Sequence, residues 1–199
     1  MSEQDYFAHE SAIVDKGATI GRQTKIWHFC HIMPRAVLGE RCNLGQNVFV
    51  ANEVKLGDNV KVQNNVSIYQ GVVCEDDTFL GPSMVFTNVT NPRSHVNRRD
   101  AYKITLVKRG ASVGANATIV CGVTLGRYSF VGAGSVVTKD VPDYGLVYGV
   151  PAVQKGWICN CGEILPPVEG ASTACSCGLT YKLSDGVLSE VEGAAETPN

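Results

Sequence analysis

The sequence predicts an all-β protein, a parallel β-helix built from hexapeptide repeats. Three observations predict it. First, every sixth residue from Val14 to Phe86 is apolar: Val14, Ile20, Ile26, Ile32, Leu38, Leu44, Val50, Leu56, Val62, Ile68, Cys74, Leu80 and Phe86. A period of six is neither helix spacing nor plain strand alternation, and hexapeptide repeats build parallel β-helices. Second, four residues after each of the first twelve stands a small or β-branched residue, from Ala18 and Thr24 through Val72 and Thr78, with Met84 the one larger exception. Third, the register breaks after Phe86 and resumes at Val107, Val113, Ile119, Leu125, Val131 and Val137. The step from Phe86 to Val107 is 21 residues, not a multiple of six, so a stretch of chain leaves the coil there and returns. About three and a half repeats' worth of residues are expected to leave, and chemistry is expected at the break.

The chain has 199 residues, which suits one domain with at most a small appendage. Its net charge of −2 gives no general reason to expect nucleic acid or an anionic membrane as partner. No apolar run approaches the ~18 residues of a membrane span, and Met1–Glu10 lacks the pattern of a signal peptide. A cytoplasmic protein is expected, in which eight cysteines are reduced thiols or metal ligands rather than disulfides.

In chain order, Met1–Ile13 is polar and is expected to cap the open edge of the first coil. Val14–Phe86 forms the first run of coils. Its sixth positions point inward, and Gly and Asn sit at the corners: Gly21, Gly39, Asn43, Gly45, Asn47, Gly57, Asn59, Asn64 and Asn65. Nineteen hexapeptides at three per turn give about six turns, roughly 30 Å tall at the ~4.8 Å spacing of strands. Residues 87–106, TNVTNPRSHVNRRDAYKITL, have no aliphatic period and form an extruded loop. A loop of that length with arginines and an aromatic reads as functional. The β-helix domain is expected over 1–152, a Cys-rich segment over 153–184, and a disordered acidic tail over 185–199.

These residues resemble a known family. The repeats, the broken coil, GASVGANATIVCGVTLGRYSFVGAGSVVTKDVP (Gly110–Pro142) and VYGVPA (Val147–Ala152) look like the left-handed β-helix acyltransferases. Within them, MVFTNVTNPRS (Met84–Ser94) with Arg99 and Tyr102 resembles the nucleotide-sugar N-acetyltransferases. The nearest likeness is to those acting on UDP-2-acetamido-3-amino-2,3-dideoxy-glucuronate, in the making of bacterial surface polysaccharide. The left hand of the helix comes from this likeness and not from the periodicity. The resemblance also implies acetyl-CoA as co-substrate, a UDP-aminosugar acceptor, and a homotrimer with active sites between neighbouring helices. Two alternatives stand beside it: an N-acetyltransferase for a dTDP-3-amino-3,6-dideoxyhexose, and a non-catalytic trimeric scaffold. A carbonic anhydrase reading needs a His triad that the four histidines do not supply.

An amine attacking a thioester must be neutral, must be held against the carbonyl, and must be met by donors for the oxyanion. Asn88, at the coil exit, is the candidate to accept from the amine and orient its lone pair. His95 is a candidate general base. Arg93, Arg98 and Arg99 suit a diphosphate or carboxylate, and Tyr102 can stack on a base or sugar. Asn91 and Asn64 are further candidates for the substrate, and Gln63 and Tyr69 occupy mid-helix positions able to face a cleft. His28 and His31 read as packing or surface residues. Gly114, Ala115, Ala133 and Gly134 leave room for a pantetheine arm, and Lys139 for a phosphate. Each of these residues also has a plainer reading as a turn former, a corner residue or a solvated charge.

Cys159, Cys161, Cys175 and Cys177 form two Cys-X-Cys-Gly knuckles, and four thiolates suit a structural zinc. The usual knuckle has two residues between its cysteines where these have one. Cys30, Cys42 and Cys74 fall on inward positions, and Cys121 does not.

Overall fold

The computed structural model describes residues 5–168 and 172–191. The chain winds into a three-faced parallel solenoid of two- and three-residue strands. Ile26, Leu44, Val62 and Leu80 stack on the first face, Ile32, Val50, Ile68 and Phe86 on the second, and Leu38, Leu56 and Cys74 on the third. Successive strands on a face pair 18 residues apart, as in Lys25↔Asn43 and His31↔Phe49.

The sixth positions from Ile26 onward are buried, and so are the small residues four places later. Both series line one continuous core, because each corner turns the second side chain inward as well. Val14 and Ile20, on the first turn, are only half-buried.

The corners refine the sequence expectation. The residue three places after each inward position takes a positive φ, at Gln23, Phe29, Arg35, Arg41, Asn47, Glu53, Asn59 and Asn65 alike. Asn47, Asn59 and Asn65 are there as expected, but Arg, Gln, Glu and Phe fill the same conformation. Gly21, Gly39, Gly45 and Gly57 serve another purpose. A Cβ on Gly39 would lie 2.5 Å from the Gly57 backbone, so glycine lets adjacent turns touch. Asn43 is not a corner residue but lies in a strand.

Side chains at the corner also join turns. The Glu40 and Asp58 backbone N–H groups donate to Asp58 and Asp76 Oδ1 at 2.8 and 2.9 Å, and the Gln46 N–H donates to Asn64 Oδ1 at 2.8 Å.

The solenoid is longer than the periodicity implies, with eight parallel strands on its first face. At the start, Phe7–Ala8 pairs with Lys25–Ile26, so the segment expected to be a cap is itself the first turn. At the end, Val131 pairs with Val147, an offset of 16 rather than 18, which hides the last turn from a strict count of six. Ala152–Trp157 then pairs antiparallel with Gly145–Gly149 and covers that sheet edge.

The loop leaves after Phe86 and the coil resumes at Thr105–Val107. Cys74 pairs with Val107, an offset of 33 where 18 is the rule, so the insertion is 15 residues, or two and a half repeats. That is one repeat less than the break in register suggests, because one of the repeats is the ordinary step to the next face. The Lys103 N–H donates to the Asn88 carbonyl at 3.1 Å and closes the neck of the loop.

The Cys-rich segment carries a three-stranded antiparallel sheet, Ser172–Ala174, Thr180–Ser184 and Val187–Glu190. Part of the tail expected to be disordered is therefore a hairpin strand, with Leu188 buried. Residues 192–199 lie outside the described residues. Among the described residues no helix is long and apolar enough to cross a membrane.

Candidate active site

The extruded loop folds back over the corner between the second and third faces and encloses a concavity of about 640 Å³. Its floor comes from the coil: Tyr69, Phe86 and Val120, which belong to three turns. Its walls come from the loop: Thr87, Asn88, Thr90, Arg93, Asn97, Arg98 and Tyr102, with Val89, Pro92 and Val96 as the apolar part. An Arg93↔Val96 bridge and a short 3-10 turn at Arg99–Ala101 shape the loop. The Cys121 N–H donates to Thr87 Oγ1 at 2.9 Å, and Thr90 Oγ1 lies 3.9 Å from Cys121 Sγ, so both ends of the first loop segment rest on the next turn. Cys121 is buried beneath it.

Five of the residues singled out in the sequence meet here: Tyr69, Asn88, Arg93, Arg98 and Tyr102. Asn88 is half-buried at the coil exit. Arg93 and Arg98 form no ion pair among the described residues, and Arg98 Nε is buried without a hydrogen-bond partner there. Two guanidiniums free of carboxylates beside an apolar floor suit an anionic group carried by a flat ring. Asn91 lines a second hollow on the loop, of about 610 Å³, shared with Thr90, Pro92, Arg93 and Arg98. Arg99 opens the 3-10 turn, and its side chain lies outside the described residues.

Other expected residues lie elsewhere. His95 is exposed and lines neither hollow. Among the described residues, no imidazole, carboxylate, thiol or amine lines the larger hollow, so a single chain presents no evident base there. Asn64 is held in its corner by the Gln46 N–H. Gly114, Ala115, Ala133 and Gly134 occupy that same corner on later turns, between the first and second faces. A Cβ on Gly114 would lie 2.5 Å from the Ala133 nitrogen, whereas Gly134 (φ 68°) has open space around it. Lys139 is exposed and borders a small hollow of about 260 Å³ formed with Pro151–Gln154. His28 stacks on His9, and His31 Nε2 lies 3.0 Å from Asp15, both away from the loop.

The sequence reading missed Thr87, Asn97 and Val120. The usable signal was positional: Val120 follows inward Ile119 on the corner from which the loop springs. At the other end of the chain, the Sγ atoms of Cys159, Cys161, Cys175 and Cys177 all lie within 4.8 Å of one another.

Comparison with known proteins agrees with this architecture. Residues 17–52 match the family model of the bacterial transferase hexapeptide (six repeats), and residues 35–70 and 109–139 match that of the hexapeptide repeat of succinyl-transferase. The chain is 46% identical over 190 residues to dTDP-3-amino-3,6-dideoxy-alpha-D-galactopyranose 3-N-acetyltransferase of Aneurinibacillus thermoaerophilus, covering 96% of this chain and 97% of that one. The chain belongs to the hexapeptide-repeat nucleotide-sugar N-acetyltransferases. Among solved structures, this acetyltransferase is similar to a hexapeptide-repeat-containing acetyltransferase of Vibrio cholerae, with 28% identity, a TM-score of 0.51, and 58% of this chain and 69% of that one covered. It is also similar to a galactoside acetyltransferase in complex with coenzyme A, with 25% identity, a TM-score of 0.52, and 59% and 62% covered. The non-catalytic scaffold reading is set aside by this membership.

Proposed function

We propose that this acetyltransferase moves the acetyl group of acetyl-CoA to the 3-amine of a dTDP-3-amino-3,6-dideoxyhexose, in the cytoplasm, for a bacterial surface polysaccharide. The 46% identity across nearly the whole of both chains carries the choice of acceptor. It favours the dTDP sugar over the UDP-uronic acid that the loop motif suggests. The pair Arg93 and Arg98 serves either nucleotide, because both acceptors carry a diphosphate.

Asn88 accepts a hydrogen bond from the amine and aims its lone pair at the thioester carbon. The N–C bond forms, the C–S bond breaks, and the amine proton leaves to the departing CoA sulfur or to solvent. Such a route needs no side-chain base, in keeping with a hollow lined by none. Arg93, Arg98 and Tyr102 hold the nucleotide end, with Arg99 and Asn91 on the same loop. The corner of Gly114, Ala115, Ala133 and Gly134 lies across the second face from Asn88. A homotrimer that sets one chain's corner against its neighbour's loop brings thioester and amine together, with Lys139 near a CoA phosphate.

The test is CoA-thiol release with dTDP-3-amino-3,6-dideoxyhexoses, a UDP-3-amino uronic acid and its non-acid UDP counterpart. Release with the dTDP sugars alone is expected. Release with the uronic acid alone would move the acceptor to the UDP series.

A further inference from the structure

We propose that Cys159, Cys161, Cys175 and Cys177 bind one zinc ion, and that this ion clasps the C-terminal module onto the last turns of the solenoid. The first support is the sulfur geometry. Cys159 and Cys177 Sγ lie 3.6 Å apart, as do Cys161 and Cys175 Sγ, and all four fall within 4.8 Å. A tetrahedron of sulfurs about 2.3 Å from a zinc ion has edges of about 3.8 Å. The two contacts cross between knuckles, so each knuckle supplies half the set.

The second support is that both knuckles make the same turn. In the first, the Gly162 N–H donates to the Cys159 carbonyl at 2.9 Å and the Cys159 N–H to the Glu163 carbonyl at 2.8 Å. In the second, the Gly178 N–H donates to the Cys175 carbonyl at 3.0 Å and the Cys175 N–H to the Leu179 carbonyl at 2.8 Å. Gly162 and Gly178 take φ of 94° and 96°, which a side chain rarely adopts. Each glycine thus closes a one-residue knuckle that brings its two sulfurs to one side. This offsets the short Cys-X-Cys spacing.

The third support is an outer partner. Tyr181, fully buried, places its hydroxyl 3.1 Å from Cys159 Sγ while accepting the Asn160 N–H at 2.9 Å. A zinc-bound thiolate carries no proton, so in the loaded site the hydroxyl donates to the sulfur, as outer partners of metal thiolates do.

The module's own core is small: Cys159, Leu165, Cys175, Tyr181 and Leu188 around Tyr144 of the solenoid. Segments of this size ordinarily need a metal or disulfides to hold a fold. The Tyr181 ring meets Tyr144 edge-on at 5.1 Å, and Tyr144 stacks on Tyr128 at 5.5 Å, so order at the cysteines is passed to the solenoid corner. Four protein ligands complete a tetrahedron and leave no open position, so the ion is structural and not a Lewis acid for the acetyl transfer.

The test uses the purified full-length protein. Elemental analysis should find one zinc per chain, and titration of the native protein should leave the four knuckle thiols unreactive until a chelator is added. Chelation should then open the three-stranded sheet of residues 172–190 to protease while leaving solenoid melting and acetyl transfer unchanged. Tyr181→Phe should weaken zinc binding about 10–100-fold. Metal-free protein with the same protease resistance, iron in place of zinc, or a mass lower by four hydrogens from two disulfides would each overturn the proposal. None of these results bears on the acceptor assay, so the two readings fail separately.

Discussion

The pairing offsets permit a deletion that separates fold from function. Removing residues 88–102 joins Thr87 to Lys103, and Val107 then stands six places after Phe86, as the repeat requires. Thr105 falls on the small inward position, which it already occupies fully buried. Ile104 falls on the positive-φ position, which Gly71 and Gly122 fill on neighbouring turns, so Ile104→Gly completes the design. The connection between Phe86 and Val107 shrinks from 20 residues to five, two halvings, worth about 1.2 kcal/mol of closure entropy. For a chain of this size that is a gain of about 2–5 °C in Tm, reduced by the exposure of Cys121 and Val120. Melting followed by circular dichroism should therefore stay within about 5 °C of the parent, while CoA-thiol release with the dTDP sugar disappears. A protein that fails to fold would show the loop to be part of the scaffold. Retained activity would show that the reacting centre lies elsewhere.

Other outcomes follow from single side chains. Asn88→Ala should lower kcat about a hundredfold with little change in Tm, because Asn88 orients the amine rather than packing the core; comparing steady-state rates with melting curves checks this. Gly57→Ala would place a Cβ 2.4 Å from Asp76 Oδ1 and 2.7 Å from its nitrogen, so the turns must part; chemical denaturation should read a loss of about 1–3 kcal/mol. The Asp58 N–H, and then the Arg109 guanidinium, hold the Asp76 carboxyl below its usual range. A carboxylate with a depressed folded pKa adds stability above its unfolded pKa of about 4 and loses it as the pH falls through the folded value. The drop in Tm below about pH 4 should accordingly be smaller in Asp76→Asn than in the parent.

The solenoid was legible because its pairing is local in sequence space. A fixed offset of 18 makes each inward position predict the next, and Ile26 through Phe86 obey it. The rule failed where the offset changes, at Cys74↔Val107 and at Val131↔Val147, and where Phe7–Ala8 opens the first turn among polar neighbours. The loop announced itself by losing the period, and its Asn88, Arg93, Arg98 and Tyr102 do share one hollow. Of the floor of that hollow only Tyr69 was legible, since Tyr69, Phe86 and Val120 come from separate turns and meet only through the winding. His95 looked suited to catalysis by residue type, but the loop turns it outward. Corner chemistry misled in another way: glycine marks where turns touch, and the positive φ falls on whatever residue comes third.

The short last turn has a consequence for how the molecule ends. A stack of identical turns is a template, and any exposed terminal turn invites another chain to add to it, as in a fibre. Here the offset of 16 at Val147 spoils the register, and Ala152–Trp157 lies against that strand in the opposite direction. On this first face only the edge that begins at Phe7 stays parallel among the described residues, so two molecules cannot continue that sheet head to tail in register. Two residues missing from one turn thus close one face of a repeating structure against further growth.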